Sequence, residues 1–412
     1  MGDGVSVAFS LSGMGGVPID ATLSPTTATT QSGLVSTTLN AGFINGTVLV
    51  TAMVNSVSGS TGPIAVEGGP PNLSKLAFSC DHVRVAGWEG AGYQLNCSAI
   101  VGDRNSNFPP NITAQFATEA GTIAVSVPAT PDPVTGLGKA TTMYQTGMPN
   151  PIDTTPNSLD QGFSSSCTLP SGAQGTCNPR DSWVSVIAYT AGEECYTDVN
   201  GNGKYDPGID VFPPQCDQGE PFVDSNDDGQ WEPGENFVDV DGDGQYTPAN
   251  GVWDDASHHD IWRTTVVVWT DKPTTVVPLT TNWNNLDYVH CSSNTVSFGV
   301  VDEFGNFPGC DGTGDELTVN AIGSVTVAQP SIPCQAMSDQ LTTTNSNLTL
   351  YSKVPVPSPT FQVSLTDGDG CSTPAVPGVF GVSLGDLTRT LDSSLQAEDD
   401  RLTGTIASGT YQ

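Results

Sequence analysis

Between Asp198 and Asn250 one pattern of oxygen-bearing side chains is written three times. Asp198, Asn200 and Asn202 hold positions 1, 3 and 5 of the first copy, Asp224, Asn226 and Asp228 those of the second, and Asp239, Asp241 and Asp243 those of the third. Each set is followed by a glycine at position 6: Gly203, Gly229 and Gly244. Oxygens at alternate positions can turn inward on one small loop, and the glycine permits the bend that brings a later ligand to the same ion. Hard oxygen donors in that spacing suit Ca2+. The second copy completes the set with Glu235 at position 12, where a bidentate carboxylate closes the cage. The first has Ile209 there, with Asp206 at position 9 and Asp210 one residue beyond 12. The third has Asn250 at 12 and Thr247 at 9, with Asp254 and Asp255 farther on. These two copies would bind through water or a shifted ligand, and more weakly. Two to four Ca2+ ions are expected in all.

The elements that position these residues follow from two further constants. Position 8 is aromatic in every copy (Tyr205, Trp231, Tyr246) and position 10 is proline (Pro207, Pro233, Pro248). An EF-hand runs from position 10 into a helix, and Pro207-Gly208 and Pro233-Gly234 disfavour one. A helix-free ladder is expected, with each aromatic packed on a neighbouring turn. Glu220 stands four residues before Asp224, and Glu235 four before Asp239. One copy's closing carboxylate is therefore expected beside the next copy's opening one. The run resembles the aspartate-rich calcium repeats of dockerins and of thrombospondin type 3 modules. That resemblance implies calcium binding and covers about 60 residues.

Charge points to the same ligand. The formal net charge of −33 comes from 44 acids against 11 lysines and arginines. Eighteen of those 44 acids lie between Glu193 and Asp260, with Lys204 as the single base. Such a density repels itself without counterions, and divalent cations would relieve it. The same balance disfavours nucleic acid and anionic membrane surfaces as partners, since no basic patch exists to meet their phosphates. No stretch has the length of a membrane span.

The scaffold reads as all-β. Only 13% of residues are charged, 36% are hydrophobic, and glycine and proline number 46 and 31, a usage of short strands and many turns. Val5–Ser10, Gly46–Val54, Ala77–Cys80, Tyr93–Ile100, Ile112–Phe116, Trp183–Tyr189, Trp262–Thr270 and Leu402–Tyr411 are predicted strands. Val382–Leu395 is the one stretch in which a turn or two of helix is considered. Gly68-Gly69-Pro70-Pro71 marks a linker. The expected units are residues 1–67, residues 73–280 with the acidic run at about 195–257 inserted between two strands, and residues 282–412.

Ten cysteines in an order that favours local pairs fit disulfides of an oxidising compartment. The expected pairs are Cys80–Cys97, Cys167–Cys177, Cys195–Cys216, Cys291–Cys310 and Cys334–Cys371, although spacing alone does not fix connectivity. The start carries no basic and apolar export segment, and a disulfide-rich calcium protein without one is expected to be a mature or excised piece.

Segments recur between units. Ser6–Gly16 is matched by Thr113–Thr122, Thr47–Met53 by Trp183–Tyr189, and Ala99–Pro109 (ending Asn107-Phe108-Pro109) by Val300–Pro308 (ending Asn306-Phe307-Pro308). These segments resemble the bacterial immunoglobulin-like domains of the intimin and invasin group, which implies tandem β-sandwiches. About 40 residues precede Thr113 in the second unit, and only five precede Ser6 in the first. The first sandwich is therefore expected to lack its opening strands, through truncation or because another chain supplies them by β-augmentation.

Catalytic patterns are missing. The four histidines (His82, His258, His259, His290) form no His-Glu-x-x-His helix, and there is no Gly-x-Ser-x-Gly elbow or phosphate-cradling glycine loop. His258 and His259 adjoin the acidic run and are candidate transition-metal ligands, but neighbours on a strand face opposite ways. Asp367-Gly368-Asp369-Gly370 reads as an ordinary turn. The expected function is a non-catalytic, extracellular, calcium-stabilised structural or adhesive surface protein. Two alternatives stand beside it. One is a filament or sheath subunit in which copies or neighbouring surface proteins donate strands. The other is a carbohydrate- or protein-binding module of a larger secreted protein, with Trp231 and Trp253 as platforms.

Overall fold

A computed structural model describes residues 2–15, 19–155, 165–168, 174–272, 274–289, 291–306, 316–323, 325–333, 361–367, 371, 378–389 and 398–411. The fold is all-β, and the helical elements among the described residues are three short 3-10 turns. The strands form three groups of sheets. In the first, the order is Thr27–Thr29, Ser6–Gly13, Gly46–Val54, Val57–Ser60, with Ile64–Val66 also on Gly46–Val54. A separate hairpin, Thr22–Ser24 with Thr38–Asn40, accompanies it.

The second group is an immunoglobulin-like sandwich. One sheet runs Thr122–Ile123, Gly138–Gln145, Gln94–Val101, Ala77–Cys80, and the other Ser126–Pro128, Thr113–Thr118, Trp183–Ala191, Asp260–Trp269, Arg84–Val85. Gln94–Val101 alternates because one face meets the core and the other meets solvent. Between the sheets lie Leu95, Cys97, Tyr144, Val184, Val186, Val267 and Trp269. The Trp269 indole N–H donates to the Tyr144 hydroxyl at 2.7 Å, and that hydroxyl donates to the Ala120 carbonyl at 3.1 Å, so both polar tips of this core are satisfied. Trp183–Ala191 departs from alternation and is buried on both faces up to its last residue. Val184, Val186 and Ala188 face the core. Ile187 and Tyr189 face outward, under an aromatic cluster contributed by the acidic insertion.

In the first group, Ser6–Gly13 pairs with Gly46–Val54 as Thr113–Thr118 pairs with Trp183–Ala191 in the second. The facing layer differs. Where the second group has five strands, counting Thr130–Pro131 on Gly138–Gln145, the described residues of the first offer the hairpin, and Phe9, Leu23, Leu39, Val50 and Ile64 line an open apolar groove of about 410 Å³.

The third group has sheets Thr275–Pro278, Asn294–Val301, Phe361–Asp367, Val325–Val327 and Leu286–Tyr288, Glu398–Tyr411, Gly378–Arg389, Glu316–Ile322, Ser331–Pro333. Its first strand precedes Asn282, so the junction falls near Thr270–Lys272, earlier than the sequence indicates. Gly378–Arg389 is a strand, which removes the helix considered for Val382–Leu395 over residues 382–389, and residues 390–395 lie outside the described residues. The reason is the period: Phe380, Val382 and Leu384 are buried at alternate positions.

Cys80–Cys97 and Cys195–Cys216 are bridged as the spacing indicates. Cys291, however, is bridged to Cys371, not to Cys310. Asn294–Val301 pairs antiparallel with Phe361–Asp367, with Asn294 opposite Leu365, and this brings the residues before one strand next to those after the other. Cys310, Cys334, His290 and residues 368–370 lie outside the described residues, as do the side chains of Cys167 and Cys177.

The recurring Asp-x-x-x-Asn segment is the joint between groups. Asp103 Oδ1 accepts from the N–H groups of Asn105 (2.8 Å) and Asn107 (2.7 Å), and its Oδ2 from the linker N–H of Gly69 (2.9 Å). Asp302 repeats this with Phe304 (3.0 Å), Asn306 (2.9 Å) and the linker N–H of Asp271 (3.0 Å). Each turn then aims its asparagine at the preceding group. Asn107 Nδ2 donates to the Phe43 carbonyl at 2.8 Å, and Asn306 Nδ2 to the Pro179 carbonyl at 3.0 Å. At the second joint Trp88 stacks on Phe304, with centroids 5.2 Å apart. Burial pushes the Asp302 carboxyl up to about 8, against its backbone donors.

Each asparagine bond is worth about 1 kcal/mol. Asn107→Ala and Asn306→Ala should therefore broaden the distribution of inter-unit orientations in small-angle scattering while leaving the strand content in circular dichroism unchanged. An unaltered scattering curve for both variants would show that these joints do not set orientation.

Candidate metal-loop site

The insertion leaves and rejoins the second sandwich through cross-strand partners: Ala191 and Asp260 end the pairing of Trp183–Ala191 with Asp260–Trp269. Within it the three loops fold alike. The opening aspartate takes the N–H of the glycine at position 6: Asp198 Oδ2 from Gly203 (2.8 Å), Asp224 Oδ2 from Gly229 (3.0 Å) and Asp239 Oδ2 from Gly244 (3.0 Å). Position 4 is left-handed in all three, at Gly201, Asp227 and Gly242, as are the glycines at position 6. Aspartate tolerates that region better than most residues. Position 9 closes on position 3: Asn200 Nδ2 donates to Asp206 (2.7 Å), Asn226 Nδ2 to Glu232 (2.9 Å), and Thr247 Oγ1 to Asp241 (3.3 Å).

A closing carboxylate is present in every loop, each from a different place in the sequence. In the middle loop Glu235 accepts from the N–H of Ser225 at position 2 (2.7 Å) and of Glu232 at position 9 (3.0 Å). In the first loop Asp210 makes the same two contacts, to Val199 (2.9 Å) and Asp206 (2.7 Å). A shorter side chain one residue farther on reaches the same point. In the third loop the contacts to Val240 (2.6 Å) and Thr247 (3.0 Å) are made by Glu220, which precedes that loop. Glu220, Asp239 and Asp241 each bring a carboxylate oxygen within 4.8 Å of the others.

This corrects the expected chaining of neighbouring copies. Residues 220–224 and 235–239 lie antiparallel, with Phe222 bridged to Phe237, Val223 N–H donating to Asn236 O (2.8 Å), and Val238 N–H to Pro221 O (2.8 Å). Glu220 therefore reaches the Asp239 end, and Glu235 the Asp224 end. Four extended residues span about 13 Å, too far for Glu220 and Asp224 to share an ion. Asp254 also departs from its expected role in the third loop, because Glu220 fills the closing position. Asp254 instead lies with Glu194 and His259.

The position-8 aromatics pack on neighbouring turns. Trp231 stacks on Tyr246 with centroids 4.7 Å apart, and with Phe222, Phe237 and Trp262 they cover Ile187 and Tyr189. Tyr205 packs on Trp253 at 4.9 Å and on Tyr196 at 5.2 Å, and the Arg104 guanidinium caps Tyr196 at 4.7 Å. Trp231 donates to the Glu235 carbonyl (3.3 Å) and Trp253 to the Glu194 carbonyl (2.8 Å). Both rings are thus engaged internally, where a carbohydrate platform would need them free.

The donor chemistry fits a hard divalent cation. Asp224, Asp228, Glu232 and Glu235 meet in the middle loop. Burial, followed by the Asp228 carboxylate, pushes the Glu232 carboxyl up, and burial with the Asp224 charge contributing raises Glu235. Asp224, Asp228 and Glu235 accept from backbone N–H groups and Glu232 from Asn226 Nδ2, and each carboxylate retains further lone pairs. At the neck, burial pushes Glu194 up to about 7 and holds the His259 imidazole below its usual value.

Fold and site together define a class: tandem immunoglobulin-like β-sandwiches, one of which carries an acidic three-loop insertion. No protein-family model matches the chain, and no curated protein matches its sequence. Among solved structures it is similar to invasin, a bacterial integrin-binding protein, at 13% identity and a TM-score of 0.23, over 97% of this chain and 53% of that one. It is also similar to FdeC, an Escherichia coli adhesin, at 11% identity and a TM-score of 0.30, over 96% and 85%. The D0–D1 domain of intimin aligns at 10% identity and a TM-score of 0.18, over 81% and 96%. The chain thus spans about half the length of the invasin structure.

On the expectation that the loops take Ca2+, Glu220→Gln should remove one ion per chain by eliminating the third loop's closing carboxylate, although it lies outside that loop. Asp254→Asn should leave the calcium stoichiometry unchanged. Calorimetric titration of both variants checks this, and an unchanged ion count in Glu220→Gln would refute the crossed arrangement.

Proposed function

We propose that this chain is an extracellular structural or adhesive surface protein whose inserted loops are stiffened by Ca2+. The observation that carries the reading is the closing carboxylate, present in all three loops on the same two backbone N–H groups although supplied by Asp210, Glu235 and Glu220. Calcium would bind Asp198, Asn200 and Asn202 with Asp210, Asp224, Asn226 and Asp228 with Glu235, and Asp239, Asp241 and Asp243 with Glu220, with Asp206 and Glu232 at the outer positions. Binding to the folded insertion alone adds to its stability by mass action, about 2.7 kcal/mol at a hundredfold excess over Kd. The bridges Cys80–Cys97 and Cys195–Cys216 support an oxidising compartment. No helix among the described residues is long and apolar enough to cross a membrane.

Metal-stripped protein titrated with calcium should show two or more sites by calorimetry and a rise in Tm of several degrees. Absence of both heat and stabilisation would end this reading.

A second reading, a filament subunit assembled by strand donation, is favoured by one observation: the open apolar groove of the first group, lined by Phe9, Leu23, Leu39 and Val50. A strand from another copy laid there would bury those side chains. Light scattering between micromolar and millimolar protein should then show concentration-dependent growth that Leu39→Glu abolishes. Monodisperse behaviour throughout would remove the filament.

A further inference from the structure

The neck of the insertion holds a cluster that the loops do not use. Glu194 follows the strand Trp183–Ala191, while Asp254 and His259 precede Asp260–Trp269, so the three residues stand where the chain enters and leaves the sandwich. One ligand atom from each lies within 4.8 Å of the others. The Glu194 side chain is fully buried and that of His259 nine-tenths buried. His259 Nε2 is buried without a hydrogen-bond partner, 3.9 Å from Glu194 Oε1. A ring nitrogen that faces a buried carboxylate beyond hydrogen-bond distance is an orphan, and such groups are costly unless something stands between them.

The carboxylates are already oriented. Glu194 Oε1 accepts from the Gln218 N–H (2.7 Å) and Oε2 from the Asp254 N–H (2.9 Å), and Asp254 Oδ2 accepts from Asn250 Nδ2 (3.2 Å). Supports of this kind fix ligand geometry around metals. A four-coordinate ion with ligands at about 2.1 Å holds them about 3.4 Å apart, so the observed separations need only small side-chain adjustments. Calcium takes oxygen ligands, whereas imidazole nitrogen with carboxylate oxygens suits zinc and its neighbours. His258, the adjacent histidine, is exposed, and its Nδ1 is hydrogen-bonded with Ser257 Oγ at 2.9 Å.

We propose that Glu194, Asp254 and His259 form a binding site for one divalent transition-metal ion of the zinc type, a clasp that joins the two ends of the insertion. Its ligands are distinct from those of the calcium loops, and the site stands or falls independently of them. Cys195–Cys216 lies immediately beside it, so a covalent and a coordinate fastening share the same neck.

The test uses the full chain in saturating calcium, so that the oxygen-only loops are filled before zinc is added. Calorimetric titration with ZnCl2 should give one site per chain, weakened at least tenfold by His259→Gln and unaffected by His258→Gln. X-ray absorption of the wild-type zinc-loaded protein should show one imidazole nitrogen among oxygen donors, a readout that holds even where a neck variant fails to fold. The site is overturned by no saturable zinc binding in calcium, by undiminished binding in His259→Gln, by equal loss in His258→Gln, or by a spectrum without imidazole. None of these results bears on the calcium titration.

Discussion

Carboxylate oxygens held on backbone N–H groups are the interaction on which this structure depends. An extended or turning backbone with no helix leaves many amides without partners, and unpaired buried amides are costly. Here aspartate and glutamate side chains take up those amides in the loops and at the joints between sheet groups alike. Asp198, Asp224 and Asp239 hold the glycine bends. Asp103 and Asp302 hold the turns whose asparagines reach the preceding group. The same chemistry therefore shapes the acidic loops in one place and the joints between sheet groups in another. What separates the two is the frame around the carboxylate: the loops repeat oxygen-bearing side chains at positions 1, 3 and 5 and add a closing carboxylate.

The insertion is not an appendage hanging from the sandwich. Its aromatic cluster covers the outer face of Trp183–Ala191, which converts a strand with one wet face into one buried on both. Loop geometry and sheet packing are thereby linked. Anything that orders residues 220–246 also presses Phe222 onto Trp262, and through Ile187 and Tyr189 onto the sheet.

Much of this was legible in the sequence. The alternating strands, the all-β class and the three-loop pattern follow from period, turn residues and ligand spacing, and the aromatic at position 8 rightly indicated stacking between turns. The closing carboxylates were harder, because ligand positions were counted along one loop at a time. Asp210 shows that a shorter side chain can act from one residue farther on, and Glu220 that a crossing segment can carry the closing carboxylate in from outside the loop. A signal for the crossing was present: Glu220–Asp224 and Glu235–Asp239 share Glu-x-Phe-Val-Asp, a strand-forming segment written twice. Gly201 and Gly242 likewise marked the left-handed position 4, which the count of position 6 alone overlooked. The Cys291–Cys371 bridge was invisible for a related reason: proximity came from pairing between distant strands, not from sequence separation.

The insertion enters and leaves through residues that already face each other across two paired strands. A short turn between Ala191 and Asp260 would close the same hairpin, so in architectural terms the sandwich and its loops are separable inheritances. A lineage could acquire, lengthen or discard the acidic run without re-registering a single strand. Losing it would uncover the tyrosine and isoleucine on the outer face of Trp183–Ala191 and strip Arg104 and Arg180 of their contacts with Tyr196, Gly203 and Asn226.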